Sequence, residues 1–372
     1  NITGCATALV SGGPGALFWT WVSAFFGMAT IYAEAVLAQH YKTTVNGHVT
    51  GGPAYYIRAA FKGKVGKVLA TVFSVLIILA LGFMGNMVQS NSIGDAFHNA
   101  FGLNRLAVGV VVAAIAAFIF LGGVQRIAAV TEKVVPIMAA FYILGCIVIL
   151  VINAKALPGA LAQVFVLAFE PQAMAGGIAG VTVQQSMRFG VARGLFSNEA
   201  GSGSAPCAAA AAECDDPVKM GLVQALGVLI DTVVICSCTA FLMLLVPQDI
   251  TAGLTGMDLL QTAMQYHLGS FGIVFIAVIL ALFSFSTFLG VLYYARGNVA
   301  YLCGDNWWSQ TAYKLLALAM LLVGGTQAYT VVWDLGDVGI GLMTIFNMLA
   351  LVPLSGEALT ALNDYEKRKK IK

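Results

Sequence analysis

The sequence predicts an all-α membrane protein, and three observations predict it. Apolar residues make up 59% of the 372 positions and charged residues 10%, whereas soluble domains hold about 45–50% and 25%. The apolar residues gather in stretches of about 20, the length a helix needs to cross a hydrocarbon core of about 30 Å. Lysine and arginine then fall almost entirely in every second loop between those stretches, as the positive-inside rule requires.

In chain order, a short apolar remnant at 1–10 meets Gly12-Gly13-Pro14-Gly15, a helix breaker. Spans are expected near 15–39, 68–94, 106–123, 134–153, 174–211, 220–246, 270–300, 312–329 and 335–355. The stretch 174–211 is too long for one uninterrupted helix and too rich in Gly and polar residues. Residues 1–372 read as a single transmembrane domain, with 356–372 as a basic tail.

The tail from Lys367 to Lys372 carries five basic residues, which places it in the cytoplasm. Counting back, the 40–67 loop (Lys42, Arg58, Lys62, Lys64, Lys67), Arg126, Lys133, Lys219, Arg296 and Lys314 share its side. Only Arg105 and Lys155 fall outside, while Arg188 and Arg193 sit within 174–211. A miscounted span would mix the two groups. The tail could also be a nucleic-acid or lipid patch, but a topogenic signal accounts for it, and no nucleic-acid partner is expected. The location expected is the plasma (inner) membrane.

There is no initiator Met and no basic n-region of a signal peptide. Asn1 opens directly on a membrane-embedded segment. The expectation is a chain truncated at its N-terminus, which by itself does not transport.

An ionisable residue at mid-span costs about 2.5–3.5 kcal/mol on insertion scales, so each is a functional candidate. Glu34, Asp231, Asp334 and Asp337 lie in or near spans, with Asp231 nearest the middle. It needs a partner, and Arg188 and Arg193 are the cations at hand. The densest polar run is Gln184-Gln185-Ser186, Arg188, Arg193 and then Gly194 through Pro206. Unwound backbone at membrane depth is tolerated only against protein or a watery cavity. Its free N–H groups bind anions and its carbonyls bind cations. A discontinuous helix facing a binding site is one reading; a Gly-rich packing surface is the other, and the alanines of 208–212 fit the second.

Two further clusters are ambiguous by themselves. Asn86, Gln89, Ser90, Asn91 and Ser92 end the 68–94 span, where interhelical hydrogen bonds or a substrate cavity would each explain them. Ser284, Ser286 and Thr287 either bond back to their own helix or supply hard oxygen ligands to a small cation.

The seven cysteines lie mostly in apolar runs and read as small buried hydrophobes. Cys236 and Cys238 form a C-x-C whose side chains diverge by about 200° on a helix. His40, His48, His98 and His267 are scattered, and no H-E-x-x-H, G-x-S-x-G or P-loop pattern occurs. An enzyme is therefore not expected. No repeated pore element or charged ring suggests a channel, and a nutrient receptor would need a signalling domain.

Asn1-Ile2-Thr3-Gly4 echoes Asn198-Glu199-Ala200-Gly201 in its N-x-x-G spacing. The two lie five spans apart, the offset of inverted repeats that each begin with a broken helix.

The chain resembles the alanine or glycine:cation symporter family. The resemblance is carried by Gly12-Gly13-Pro14-Gly15 with Phe18-Trp19-Thr20-Trp21, Gly27-Met28-Ala29-Thr30 before Glu34, and Gly51-Gly52-Pro53 with Tyr55-Tyr56-Ile57. Gly85-Asn86-Met87-Val88-Gln89, Gly190 through Pro206, Ile230-Asp231-Thr232 and Phe285-Ser286-Thr287 with Leu289-Gly290 complete it. It implies a LeuT-type architecture of two inverted five-helix repeats and uptake of small neutral amino acids with sodium as the coupling ion. The family's first helix breaks at a G-T-G-N run whose last residue matches Asn1, so the truncation falls within that helix. By position, Asn1, Gln89, Asn91, Leu195, Phe196 and Asn198 are expected to line the substrate pocket. Ser286 and Thr287 are expected to hold sodium, with Thr287 also near substrate.

Departures bear on selectivity. Val291 stands where the family often carries a Trp that caps the pocket, which makes room for a substrate larger than alanine. Ala295-Arg296 stands where an acidic residue is usual, and Ser202 replaces a more typical Leu. A carrier coupled to protons through Glu34, Glu199 or Asp231 is the alternative, as is a transporter-like nutrient receptor. Alternating access requires an ion that prefers one state. No other cofactor is expected, and the sequence sets no oligomeric state.

Overall fold

The structure, a computed structural model, describes residues 1–122, 124–170 and 182–370. Three helices and a hairpin open the chain. Helix α1 (Thr3–Gly12) stops at Gly13, whose φ of 68° leaves the helical region while its N–H still bonds Leu9 O at 3.0 Å. Helix α2 (Ala16–His40) follows. A hairpin of β1 (Thr43–Val45) and β2 (His48–Thr50) comes next. Its strands pair antiparallel around Asn46-Gly47, both at positive φ, as a tight hairpin turn demands. Helix α3 (Pro53–Ala60) starts on a proline that lacks only a donor the first turn would leave unused.

The long spans are less regular than uniform helices. Helices α4 (Gly63–Ile77) and α5 (Asn86–Phe101) are joined by a π-helical stretch, Ile78–Gly85. Helix α6 (Arg105–Leu121) is capped by Asn104, whose side chain accepts from Leu106 N at 2.9 Å and Ala107 N at 3.3 Å. Helices α7 (Val124–Ile152) and α8 (Leu157–Phe169) follow, then α9 (Val183–Asn198) and α10 (Ala205–Ala211). Helices α11 (Pro217–Val228) and α12 (Cys236–Leu244) flank a second π-helical stretch, Leu229–Ile235. After α13 (Gln248–Thr251) and α14 (Gly256–Leu268), the chain closes with α15 (Ser270–Cys303), α16 (Trp307–Gly324) and α17 (Tyr329–Lys370).

Among the described residues the regular structure is helical apart from the hairpin, and six of the described helices are long and apolar enough to cross a membrane. The expected span 174–211 is two helices separated by 199–204, with residues 174–181 outside the described part. Gly123, at the end of the expected span 106–123, and Lys372 also lie outside it. Helix α7 starts ten residues before the expected 134, because the helix continues through Pro136. The apolar helix α8 lies where a loop was expected. Residues 356–370 continue α17 as helix.

The chain divides into two compact units, Asn1–Phe25, Gln89–Asn198 and Leu229–Thr287, and Phe26–Val88, Glu199–Val228 and Phe288–Lys372. In the first, Ile2 and the α1 residues Cys5 and Leu9 join a core with Tyr142 of α7 and Leu242 of α12. Helices α2 and α9 approach so closely that a Cβ on Gly190 would stand 2.3 Å from Ala16 O and 2.7 Å from Trp19 Cβ. Thr20 Oγ1 donates to Gly190 O at 2.9 Å across that contact, the small-residue packing that suits helices in lipid. In the last turn of α14, His267 Nε2 donates to Leu242 O at 2.8 Å, and its Nδ1 accepts from Asn153 at 3.3 Å. Burial holds its pKa below the ordinary histidine value.

In the second unit the core gathers Leu37, Tyr56, Phe73, Ile77 and Met343. The last turns of α17 are fastened there: Tyr32 OH donates to Ala358 O at 3.3 Å, and Arg368 Nη2 reaches Asp216 Oδ2 at 2.7 Å. Asp216 also accepts from Val218 N at 3.0 Å, which caps α11.

Two outcomes follow. Gly190→Ala lowers the thermal stability of detergent-purified protein by about 1–3 kcal/mol, whereas Gly227→Ala, whose new Cβ meets nothing within 4 Å, does not. A histidine whose folded pKa is depressed favours the neutral form, so its stabilisation is complete above the unfolded pKa and is lost as pH falls below it. The melting temperature therefore drops as pH falls below about 6.5. His267→Gln flattens that limb, since the amide can donate to Leu242 O and accept from Asn153 without titrating.

Candidate functional site

Helix α9 opens on a reciprocal cap, Thr182 N to Gln185 Oε1 at 3.0 Å and Gln185 N to Thr182 Oγ1 at 3.2 Å. It stops at Asn198 because Glu199 takes φ +57°, followed by Gly201 at +86° and Gly203 at +83°. Two of these three positions are glycines, which bear such angles at no steric cost. The chain then resumes as α10. The discontinuous helix read from the Gly-rich run is therefore present.

A polar cluster lies in the first unit beside the end of α9. Ser197 Oγ stands 2.6 Å from Asn1 Oδ1 and 2.5 Å from Asp231 Oδ2. Asn1 Nδ2 donates to the other oxygen of Asp231. Asn198 Nδ2 donates to Thr232 Oγ1 at 3.2 Å, and Thr232 Oγ1 reaches Asp231 Oδ2 at 3.4 Å. Cys236 Sγ is 3.2 Å from Ser197 Oγ. Asp231 and Thr232 occupy the π-helical stretch of the α11–α12 span, a distortion often found at functional positions.

Ser197 has one hydroxyl proton and two acceptors, Asn1 Oδ1 and Asp231 Oδ2, at bonding distance. Thr232 Oγ1 also donates to Asp231 Oδ2, so the carboxylate keeps a partner when the Ser197 proton turns to Asn1. Three oxygens, one from a carboxylate, thus stand together, an arrangement that suits a hard cation or an ammonium group.

A second cluster lies in the second unit. Glu34 is fully buried and accepts from Gly201 N at 2.9 Å, Gly203 N at 3.1 Å and Asn347 Nδ2 at 2.6 Å. Asn347 Nδ2 also donates to Gly201 O at 2.9 Å, and Tyr56 OH donates to Asn347 Oδ1 at 2.5 Å. Ser204 Oγ donates to Glu199, and Ser202 Oγ bonds Glu199 O at 2.7 Å and Ser204 Oγ at 2.8 Å. Two N–H groups freed by the helix break are therefore spent on Glu34.

The residues singled out from the sequence fall unevenly on these clusters. Asn1 and Asn198 belong to the first. Leu195 and Phe196 are half-buried on α9, with the Arg193 guanidinium 5.7 Å from the Phe196 ring. Gln89 is half-buried and Asn91 buried on α5. Ser286 Oγ donates to Phe283 O at 2.8 Å, the bond back to its own helix, and contacts Met138 Sδ at 3.7 Å. Thr287 is exposed, while Val291 is buried in the apolar core of the second unit. The hydrogen-bond partners of Asp231 are Asn1, Ser197 and Thr232 rather than an arginine side chain. Sequence reasoning missed Ser197 as a partner of Asp231 and did not single out Asn347, whose only signal was an amide inside an apolar span.

The sodium:alanine symporter family model matches residues 1–372, the whole chain. The chain belongs to the sodium:alanine symporter family. Its membership makes it a membrane carrier rather than an enzyme. The chain is 41% identical over its full length to the amino-acid carrier protein AlsT of Bacillus subtilis, covering 77% of that protein. It is 44% identical to the probable sodium/glutamine symporter GlnT of the same organism, covering 76% of it. To the sodium/alanine symporter AgcS of Methanococcus maripaludis it is 40% identical, with 96% of this chain and 78% of that one aligned. Among solved structures, the manganese transporter of Eremococcus coleocola matches 95% of this chain and 74% of its own at TM-score 0.60 and 14% identity. At that identity the likeness speaks for the fold alone.

Proposed function

We propose that this protein takes up small neutral amino acids with sodium through a LeuT-type pair of inverted repeats, and that Asn1, Ser197 and Asp231 form its ion-and-ammonium site. The gathering of Asn1 Oδ1, Ser197 Oγ and the Asp231 carboxylate carries the reading. A cation among those oxygens would offset the charge of Asp231, which is costly to keep in an apolar span. The same positive charge would serve the substrate carboxylate, since the N–H groups of Gly201 and Gly203 are already engaged by Glu34. Asn198, one bond removed through Thr232, would couple the end of α9 to the same carboxylate. Family membership supports sodium as coupling ion and an amino acid as cargo. The relatives named for alanine and for glutamine bracket the substrate size. The bias of basic residues supports a multi-pass protein of the inner membrane with the end of α17 in the cytoplasm.

Proteoliposomes carrying the full-length protein would be offered labelled alanine, glycine and glutamine under an inward sodium gradient, then with potassium in its place. We expect accumulation only with sodium. Ser197→Ala should raise the sodium concentration for half-maximal uptake by about tenfold or more, and Asp231→Asn by at least as much. Thr287→Ala weakening sodium dependence while Ser197→Ala leaves it intact would move the ion to the 286–287 hydroxyls. Uptake driven by a proton gradient and indifferent to sodium would replace the coupling ion.

A further inference from the structure

The carboxylate of Glu34 has no part in the site proposed above, yet its surroundings are fully specified. We propose that Glu34 is a positioning residue of the transport cycle, its carboxylate acting as a built-in anionic ligand that holds the 199–204 break in its unwound shape. The proposal rests on the reading of the chain as an amino-acid symporter.

Three observations carry it. First, the donors converge from separate parts of the second unit. Gly201 N reaches Oε2, while Gly203 N and Asn347 Nδ2 reach Oε1. Unwound backbone in an apolar setting must find partners for its N–H groups, and here one side chain of α2 supplies both. Second, the conformation that aims those N–H groups is one that side chains resist. Gly201 and Gly203 hold φ at +86° and +83°, and a Cβ on Gly203 would stand 2.7 Å from Phe73 and from Pro53. Third, the ligand is itself oriented. Asn347 donates to Glu34 and to Gly201 O, so it spans the carboxylate and the turn, and Tyr56 OH fixes its amide.

A carboxylate is the group this geometry requires. Both of its oxygens accept, and three donors meet them. Glutamine has the same size but only one acceptor oxygen, so its NH₂ would face either the Gly201 N–H or the donors on Oε1. An apolar residue would leave two N–H groups without partners. Glutamine keeps the packing and loses the interaction, whereas alanine loses the interaction and opens a cavity the size of acetate. The effect is to let the 199–204 segment leave the unwound form, and hence to slow the conformational steps of the cycle rather than to alter substrate contacts.

The test compares Glu34→Gln, Glu34→Ala and the unaltered protein in proteoliposomes, after monodispersity in detergent has been checked. All three are made in the full-length protein, whose unaltered form must accumulate one of the three labelled amino acids; if it does not, the symporter reading fails and not this one. We expect maximal velocity to fall by at least about tenfold in both variants while KM moves by less than about threefold. Acetate replaces the atoms that Glu34→Ala removes. Potassium acetate on both sides of the membrane should therefore raise Glu34→Ala velocity severalfold and leave Glu34→Gln and the unaltered protein unchanged. Acetamide, isosteric but short of one acceptor, should not rescue. Velocity of Glu34→Gln at the level of the unaltered protein overturns the proposal, as does a folded Glu34→Ala that ignores acetate. If neither variant is recovered folded, Glu34 serves stability alone and the proposal is equally overturned.

Discussion

A helix interrupted among apolar surroundings must answer for every polar group that the interruption frees. In water the solvent does this, but in hydrocarbon the protein has to. The break at 199–204 meets that demand from within its own unit. Glu34 takes the N–H groups of Gly201 and Gly203, and Asn347 takes the Gly201 carbonyl. Ser202 and Ser204 serve the backbone and side chain of Glu199. Gln39 extends the same logic to the end of α10, where its amide donates to Ala209 O at 2.5 Å and Ala212 O at 2.8 Å. With these bonds in place α9 can end at Asn198 without α10 continuing it, and the polar tip of α9 becomes available for chemistry.

Two carboxylates inside spans sit in different surroundings, and the neighbours of their donors separate them. Glu34 meets three donors, two of them backbone N–H groups of the break itself, so it is tied to the turn. Asp231 meets only side-chain donors, and it shares the hydroxyl of Ser197 with Asn1 Oδ1. A carboxylate bound to backbone fixes geometry, whereas one with further oxygens beside it suits a cation. Position on the helix does not distinguish the two: each is an acid in an apolar run. The distinction lies wholly in what the rest of the fold brings to them.

That difference sets how much could be read from the sequence. Composition and the spacing of apolar runs locate the spans, because lipid acts on every residue of a helix alike. The break is legible for a similar local reason, since Gly201 and Gly203 beside Pro206 cannot sustain a helix. The C-x-C is legible as well: Cys236 turns toward Ser197 while Cys238 does not share that face, and both thiols stay free and buried. Boundaries are less so. Helix α7 starts ten residues before the expected apolar span, and the charged Glu132 and Lys133 in that extension are exposed.

Partners were the least legible feature, and the reason is topological. Burying an ionisable group is a local cost that the sequence announces at the position where it is paid. What relieves that cost arrives from wherever the fold routes another segment. Asn1 and Asp231 are 230 residues apart, and Glu34 and Asn347 are 313 apart. Nearby arginines looked like partners for Asp231 because they were close in sequence. Yet an arginine paired there would have neutralised the carboxylate and left nothing to attract an ion. Neutral side-chain donors hold the Asp231 carboxylate in place without cancelling its charge.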